Sequence, residues 1–182
     1  MPNGASPLFI RTTGKIKEEE FFDMKQSWMI DPSKCSGCKT CEVICSLYHH
    51  SEVNLNRSRI KIVKWEEKGL DIPVVCQHCE VPVCMENCPT GALFQNDEGG
   101  FVAYRKELCI GCKLCLLVCP SGGISLDGEG SILKCDLCGG DPQCVKFCAS
   151  KVIEYLPNIQ VGEKYKRKVA KALIQSLDGG QR

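Results

Sequence analysis

Twelve consecutive residues decide the fold of this chain: CIGCKLCLLVCP, residues 109–120. Their four cysteines are spaced C-x2-C-x2-C-x3-C, and a proline, Pro120, follows the last one. Three cysteines within seven residues lie on one turn of backbone, so they cannot all reach distant disulfide partners with acceptable geometry. The pattern predicts a loop that gathers thiols around one site.

The other cysteines repeat this arrangement. The chain has 182 residues and 16 cysteines, which fall into four groups of four with none left over. The groups are Cys35, Cys38, Cys41 and Cys45; Cys76, Cys79, Cys84 and Cys88; Cys109, Cys112, Cys115 and Cys119; and Cys135, Cys138, Cys144 and Cys148. The first group has the spacing of the third, whereas four and five residues separate the second and third cysteines of the other two groups.

Disulfides, zinc and iron–sulfur clusters compete as explanations of these groups. Zinc binds paired C-x2-C elements, but it does not require the third and fourth cysteines that follow here. The C-x2-C-x2-C-x3-C-P run is a spacing of bacterial iron–sulfur proteins, in which the fourth cysteine ligates the other cluster. Four such groups without a spare cysteine predict four 4Fe-4S clusters.

The spacing also suggests how the ligands are shared. We expect the middle two groups to form one self-sufficient two-cluster unit and the outer two groups to pair with each other. The expected sets are Cys35, Cys38 and Cys41 with Cys148; Cys135, Cys138 and Cys144 with Cys45; Cys76, Cys79 and Cys84 with Cys119; and Cys109, Cys112 and Cys115 with Cys88. Each fourth cysteine is expected on the first turn of a helix, with Pro89 and Pro120 at a first helical position.

The sequence between the groups predicts an α+β fold of tandem bacterial-ferredoxin-like units, each a pseudo-twofold βαβ hairpin, with few long helices. Hairpins are expected over residues 59–75, 93–104 and 124–133. The predicted parts are an N-terminal arm (1–34), the first cysteine group with a hairpin insert (35–75), an inner two-cluster unit (76–134), the fourth group (135–148) and a C-terminal extension (149–182). That extension contains a basic amphipathic helix ending at Gly179 and Gly180, which packs on the domain or docks onto a partner.

Composition and charge argue against nucleic-acid binding, membrane insertion and secretion. Lysine and arginine number 23, and aspartate and glutamate number 22, so the formal charge of +1 gives no strong field for nucleic acid or membrane. The longest apolar stretches are too short to span a bilayer, and residues 1–20 have no apolar signal-peptide core. We therefore expect a cytoplasmic protein, because a reducing compartment favours metal ligation by cysteine over disulfides.

No residue pattern indicates an active site. Nucleotide-binding glycine motifs are missing, and four cysteines in every group leave no open iron for catalysis or for a radical SAM reaction. His78 is expected to pack or hydrogen-bond beside a cluster, whereas His49 and His50 are expected at the surface. The chain is therefore expected to be a relay for single electrons and not an enzyme by itself.

Residues 35–148 resemble the four-cluster ferredoxin subunits of molybdenum and tungsten oxidoreductases. The resemblance rests on CQHCEVPVC followed by CPTGA (residues 76–92), a C-x-H-C-x-x-P-x-C…C-P-x-G-A pattern. DPSKC (31–35), CEVICS (41–46) and NRSRI (56–60) are most similar to the iron–sulfur partners of tungsten aldehyde oxidoreductase-type enzymes, including benzoyl-CoA reductases. Unlike Cys88 and Cys119, Cys45 and Cys148 are not followed by proline.

The resemblance implies an electron-transfer subunit of an anaerobic oxidoreductase complex. Its partners would be a larger catalytic subunit carrying a tungstopterin or molybdopterin, and a flavin or ferredoxin protein that exchanges electrons. A free-standing polyferredoxin, or the electron-transfer subunit of a hydrogenase or formate dehydrogenase, remains an alternative.

Overall fold

Five α-helices, five short 3-10 helices and eight strands lie in the described part of the chain, residues 26–96 and 101–178 of a computed structural model. The strands are β1 (Gln26–Ile30), β2 (Lys61–Trp65), β3 (Leu70–Val74), β4 (Leu93–Gln95), β5 (Val102–Tyr104), β6 (Ile124–Leu126), β7 (Ile132–Lys134) and β8 (Ile153–Pro157). The helices are α1 (Thr40–His50), α2 (Val83–Glu86), α3 (Leu114–Leu117), α4 (Gln143–Lys146) and α5 (Asn158–Asp178). The strands form separate antiparallel pairs, and the expected α+β class with few long helices is confirmed.

Three of the pairs are local hairpins, as predicted: β2 with β3, β4 with β5, and β6 with β7. The turn between β6 and β7 shows why such hairpins form. The Asp127 carboxylate accepts hydrogen bonds from the backbone N–H groups of Glu129 (2.9 Å) and Ser131 (2.7 Å). Gly130 between them has a φ of 81°, which a glycine adopts at little cost. Residues 97–100 of the turn expected after β4 lie outside the described residues.

The fourth pair, β1 with β8, is not local and was not predicted. Gln26 is opposite Pro157 and Ile30 is opposite Ile153, while the Trp28 ring lies 5.0 Å from that of Tyr155. Residues 26–30, at the end of the expected N-terminal arm (1–34), thus form a sheet with the far end of the chain. Residues 1–25 of the expected arm lie outside the described residues.

Cysteines take the place of large apolar side chains in the core. The larger cluster of buried residues contains Trp28, Ile60, Val75, Leu137, Val152 and Ile153 together with Cys41, Cys45, Cys76, Cys135 and Cys144. A smaller cluster under the inner hairpins contains Leu93, Val102, Ile124 and Ile132, and Cys84, Cys88, Cys109, Cys115 and Cys119 pack against it. Both cores are thus built around thiols.

Helix α5 follows β8 directly and is joined to the β1–β8 end of the molecule by ion pairs. Lys164 Nζ lies 2.6 Å from the Glu154 carboxylate, and Lys168 Nζ lies 3.3 Å from Asp31. The predicted amphipathic helix is confirmed, although Gly179 and Gly180, its predicted end, lie outside the described residues. No helix in the described ranges is both long enough and apolar enough to cross a membrane.

Gly123, which follows the last cysteine of the third group, lies against the backbone at the start of the second cysteine group. A Cβ atom added there would lie 2.4 Å from Cys76 Cα and 2.5 Å from Cys76 N, which are backbone atoms. The matching residue in the preceding repeat, Ala92, is a buried alanine. The close approach therefore exists at Gly123 and explains why this position lacks a side chain.

We expect Gly123→Ala to destabilise the protein by about 1–3 kcal/mol, because overpacking against backbone cannot be relieved by a rotamer change. The measurement is the midpoint of chemical unfolding of the anaerobic protein. Gly128→Ala is the matched control, since an added Cβ there meets nothing within 4 Å. Equal midpoints for the two variants would contradict the packing argument.

Candidate iron–sulfur centres

The sixteen cysteines line four cavities, each with three cysteines of one group and the last cysteine of another. Cavity 1 is lined by Cys35, Cys38, Cys41 and Cys148; cavity 2 by Cys135, Cys138, Cys144 and Cys45; cavity 3 by Cys76, Cys79, Cys84 and Cys119; and cavity 4 by Cys109, Cys112, Cys115 and Cys88. Each contains about 300 to 330 Å³ of empty space, including its open mouth. The structure therefore brings together the residues that the sequence grouped.

All four cysteine loops make the same left-handed turn. The second residue after the first cysteine has a positive φ in every group: 64° at Gly37, 47° at His78, 70° at Gly111 and 56° at Leu137. For His78 and Leu137 this conformation costs on the order of 1–3 kcal/mol, so the surrounding structure must enforce it. The turn aims backbone N–H groups at sulfur: those of Gly111 and Leu137 each lie 3.4 Å from the sulfur of the loop's first cysteine.

A short helix places the third cysteine of each group. Cys41, Cys84, Cys115 and Cys144 are each the second residue of their helix. The fourth cysteine comes four residues later and lines the neighbouring cavity; it lies within α1 in the first group and past the helix end in the other three. The x3 spacing thus makes each group serve two cavities.

The expectation that the fourth cysteine begins a helix is wrong. Helices α2, α3 and α4 end two residues before Cys88, Cys119 and Cys148. Pro89 and Pro120 accordingly follow a helix end, where proline cannot continue the helix, instead of opening a new one. Only in α1 does the helix continue through the fourth cysteine, Cys45, which no proline follows.

The thiols are too widely spaced to bind a single metal ion. With Zn–S bonds of about 2.3 Å, the sulfurs of a tetrahedral zinc site lie about 3.8 Å apart. Among the described residues, which include all sixteen cysteines, the only three ligand atoms within 4.8 Å of one another belong to His49, Asp136 and Cys138. Four thiols around a larger space fit a 4Fe-4S cluster and do not fit structural zinc.

Burial keeps several of these thiols protonated in the metal-free chain. It raises the pKa of Cys144 to about 12, and together with the neighbouring Glu42 carboxylate it raises the pKa of Cys41 to about 12. Burial likewise raises the pKa of Cys135. Such thiols are poor nucleophiles, and a metal must displace their protons to bind, so the cavities suit metal ligation better than thiol chemistry.

His49 is not the surface residue expected from the sequence. Its Nε2 lies 3.7 Å from Cys138 Sγ and 3.4 Å from an Asp136 oxygen, and the Arg59 guanidinium lies 2.5 Å from the other Asp136 oxygen. Burial, reinforced by Arg59, lowers the pKa of His49 to about 4, so the imidazole is neutral at pH 7. Cavity 2 is therefore flanked by the neutral imidazole of His49 and by the ion pair between Arg59 and Asp136.

Cavity 3 has a different polar lining, formed by His78 and Lys134. The His78 ring stands edge-on to Phe101 at 5.8 Å, and burial lowers the pKa of His78 to about 3. Lys134 is 3% exposed, and its Nζ lies 3.1 Å from Cys76 Sγ. Lys134 was not among the residues predicted from the sequence, although its place between the apolar Leu133 and Cys135 is an unusual one for an ammonium group.

The cavities follow one another in the order 1, 2, 3, 4. Cavities 1 and 2 share the first and fourth cysteine groups, and cavities 3 and 4 share the second and third groups. The link between the two halves is the contact of β7 with the second cysteine group. There Lys134 lines cavity 3, while the next residue, Cys135, lines cavity 2.

Comparisons with known proteins agree with this chemistry. Residues 67–156 match the family model described as a 4Fe-4S dicluster domain, and residues 32–48 match a 4Fe-4S binding domain. A solved active-site complex BamBC of benzoyl-coenzyme A reductase includes a polypeptide 29% identical, with a TM-score of 0.44, covering 71% of this chain and 74% of that one.

Two curated relatives are subunits of oxidoreductases. The aliphatic sulfonate oxidoreductase polyferredoxin-like subunit of Pyrococcus furiosus is 41% identical over 66% of this chain and 69% of its own length. The B subunit of the anaerobic dimethyl sulfoxide reductase of Haemophilus influenzae is 31% identical over 81% of this chain and 82% of its own. The resemblance expected from residues 35–148 is confirmed: the chain belongs to the family of ferredoxin-type 4Fe-4S electron-transfer subunits of oxidoreductase complexes.

Proposed function

We propose that the chain is a relay for single electrons that holds four 4Fe-4S clusters, one in each cavity. The proposed ligands are the sixteen cysteines in the four sets that line cavities 1 to 4. The supporting observation is that every cavity has four thiols in the same three-plus-one arrangement. A 4Fe-4S cluster supplies reversible uptake of one electron when bound. The chain's own part is to hold the clusters in sequence and to exclude water from them.

Burial of the ligands distinguishes cavity 2 from the other three cavities. Cys45, Cys135 and Cys144 of cavity 2 are all buried, whereas Cys38 of cavity 1, Cys79 of cavity 3 and Cys112 of cavity 4 are exposed. Electrons would then enter and leave through the cavities with an exposed ligand, with cavity 2 shielded. Each cavity offers one thiol for each of the four irons of a cluster, and this supports a relay that is not catalytic by itself.

The proposed partner is a larger catalytic subunit carrying a tungstopterin or molybdopterin. The relatives' names, which describe parts of a reductase and of an oxidoreductase, support assembly with such a subunit. A flavin or ferredoxin protein would exchange electrons at the opposite end. We place the complex in the cytoplasm because its ligands must stay reduced to take up iron.

Helix α5 is the proposed docking element for the larger subunit. Its apolar residues Tyr165, Val169, Leu173 and Ile174 are 41 to 64% exposed, so the molecule itself leaves this face uncovered. Because the helix packs on β1 and β8, it lies at the end of the molecule that contains cavity 1, whose lining includes Ile153 of β8. This favours docking over the alternative of a helix that merely covers its own domain.

The proposed division of the chain follows from these roles. Residues 35–75 and 135–148 hold the outer pair of clusters, residues 76–134 hold the inner pair, and residues 149–182 provide β8 and the docking helix. Residues 1–34 contribute β1 to the same end of the molecule.

Folding is expected to depend on the clusters, because thiols occupy both cores and ligand binding supplies folding free energy. Removing iron with a chelator under reducing conditions should abolish most of the far-UV circular dichroism signal outside α5. An apo form that keeps the native spectrum would contradict this expectation.

Single ligand replacements should separate the two pairs of clusters. The intact protein should contain about 16 iron atoms per chain. Cys112→Ser should remove the cluster of cavity 4 and weaken that of cavity 3, because the third cysteine group supplies ligands to both. Cys144→Ser should damage cavities 2 and 1 and leave the inner pair intact. Iron content and EPR spin counts after anaerobic purification distinguish the variants, and identical losses would count against the proposed sets.

Truncation after Pro157 should leave all four clusters in place and reduce affinity for the catalytic subunit at least tenfold. Co-purification and a binding titration with the native partner measure the effect. The matched full-length control is Ile174→Ala, which removes one exposed apolar side chain and should weaken binding less. Unchanged affinity of the truncated chain would show that α5 merely packs on its own domain.

A further inference from the structure

Lys134 is the one fully buried lysine or arginine in the part of the chain that the structure describes. Its Nζ donates to Cys76 Sγ at 3.1 Å and to the Cys135 carbonyl at 3.4 Å. No carboxylate within the described ranges forms an ion pair with it. A buried ammonium must be compensated by negative charge, and the protein supplies that charge here only as ligand sulfur.

Among the described residues, the other cavities have no comparable cation. At cavity 2, Arg59 is paired with Asp136, so the two charges largely cancel. At cavity 4, Lys113 is exposed, and Lys39 of cavity 1 is only half-buried. Solvent and salt screen charges at the surface far more than a charge inside the core. The positive charge is thus distributed unequally among four otherwise similar thiol sites.

We propose that Lys134 sets the redox potential of the cluster in cavity 3 and makes it the more easily reduced member of the inner pair. The inference rests on the proposed ligand sets. Reduction adds one negative charge, and net charge and hydrogen bonds to sulfur are among the factors that set the potential of such a cluster. A fixed positive charge 3.1 Å from a ligand sulfur favours the reduced state.

The position of Lys134 gives this effect a role in the relay. The residue lies at the junction of the two halves, with Cys76 of cavity 3 on one side and Cys135 of cavity 2 on the other. An electron arriving from cavity 4 would therefore be held at the junction before it crosses to the shielded cavity 2. Lys134 acts through the ligand and is a positioning and charge-setting residue.

The test is a potentiometric EPR titration of the anaerobically purified holo-protein and of three variants at Lys134. Lys134→Met removes the charge at similar length, Lys134→Gln keeps a hydrogen-bond donor without charge, and Lys134→Arg keeps the charge. Lys113→Met, at the exposed rim of cavity 4, is the control. Cys79→Ser and Cys138→Ser identify the EPR signals of cavities 3 and 2.

The EPR signal that Cys79→Ser alters belongs to cavity 3, and we expect Lys134→Met to lower its midpoint potential. At a given applied potential, the ratio of reduced to oxidised cluster should fall at least tenfold, which corresponds to a shift of about 59 mV in the midpoint potential. Lys134→Arg and Lys113→Met should leave it unchanged. Loss of this cluster in both uncharged variants but not in Lys134→Arg would also support the charge as the counter-ion of the site.

Two results would overturn the inference. The first is an assembled cluster of unchanged potential in Lys134→Met, and the second is loss of the cluster in all three variants, which would indicate a packing role. A shift confined to the signal that Cys138→Ser alters would assign the charge to cavity 2 and likewise contradict it. The iron content of the unmodified protein tests the proposed function separately, because it depends on the cysteines and not on Lys134.

Discussion

One constraint organises the molecule: the third cysteine of each group and the fourth, four residues later, line different cavities. Cys41 and Cys45 show it within a single helix, α1. Because each cavity needs one ligand from another group, no group can complete a site alone. The hairpins and the β1–β8 sheet then hold together the two cysteine groups that share a pair of cavities. The spacing of the cysteines along the chain therefore couples the assembly of the two sites in each pair.

The local features of the fold could be predicted from the sequence, whereas the distant contacts could not. Hairpins such as β6–β7 are encoded by alternating apolar residues and an Asp–Gly turn within a dozen residues. The pairing of β1 with β8 joins segments more than 120 residues apart, and neither segment carries a signal for the other. The cysteine groups are an exception, because their spacing indicates that each site lacks one ligand, which a distant group must supply.

The side chains around the cavities were predicted less well, for a physical reason. A lysine before a cysteine and a histidine at the end of α1 look like surface residues in the sequence. Lys134 becomes buried beside the sulfur of Cys76 and His49 beside the Arg59–Asp136 pair, and both contacts exist only after folding. His78 was expected beside a cluster because it lies between two cysteines of one group, and it lines cavity 3.

Charge distribution suggests how the protein meets a partner. An oxidised cluster with four thiolates carries about −2, so four clusters would change the formal +1 of the chain to about −7. Most of that charge lies inside the molecule, while Lys166, Arg167 and Lys171 of α5 are exposed at the end that contains cavity 1. Exposed charges of this kind steer encounter and orientation more than they add affinity. The apolar residues of α5 would then provide the binding energy, and its basic residues would ensure that cavity 1 faces an acidic surface of the larger subunit.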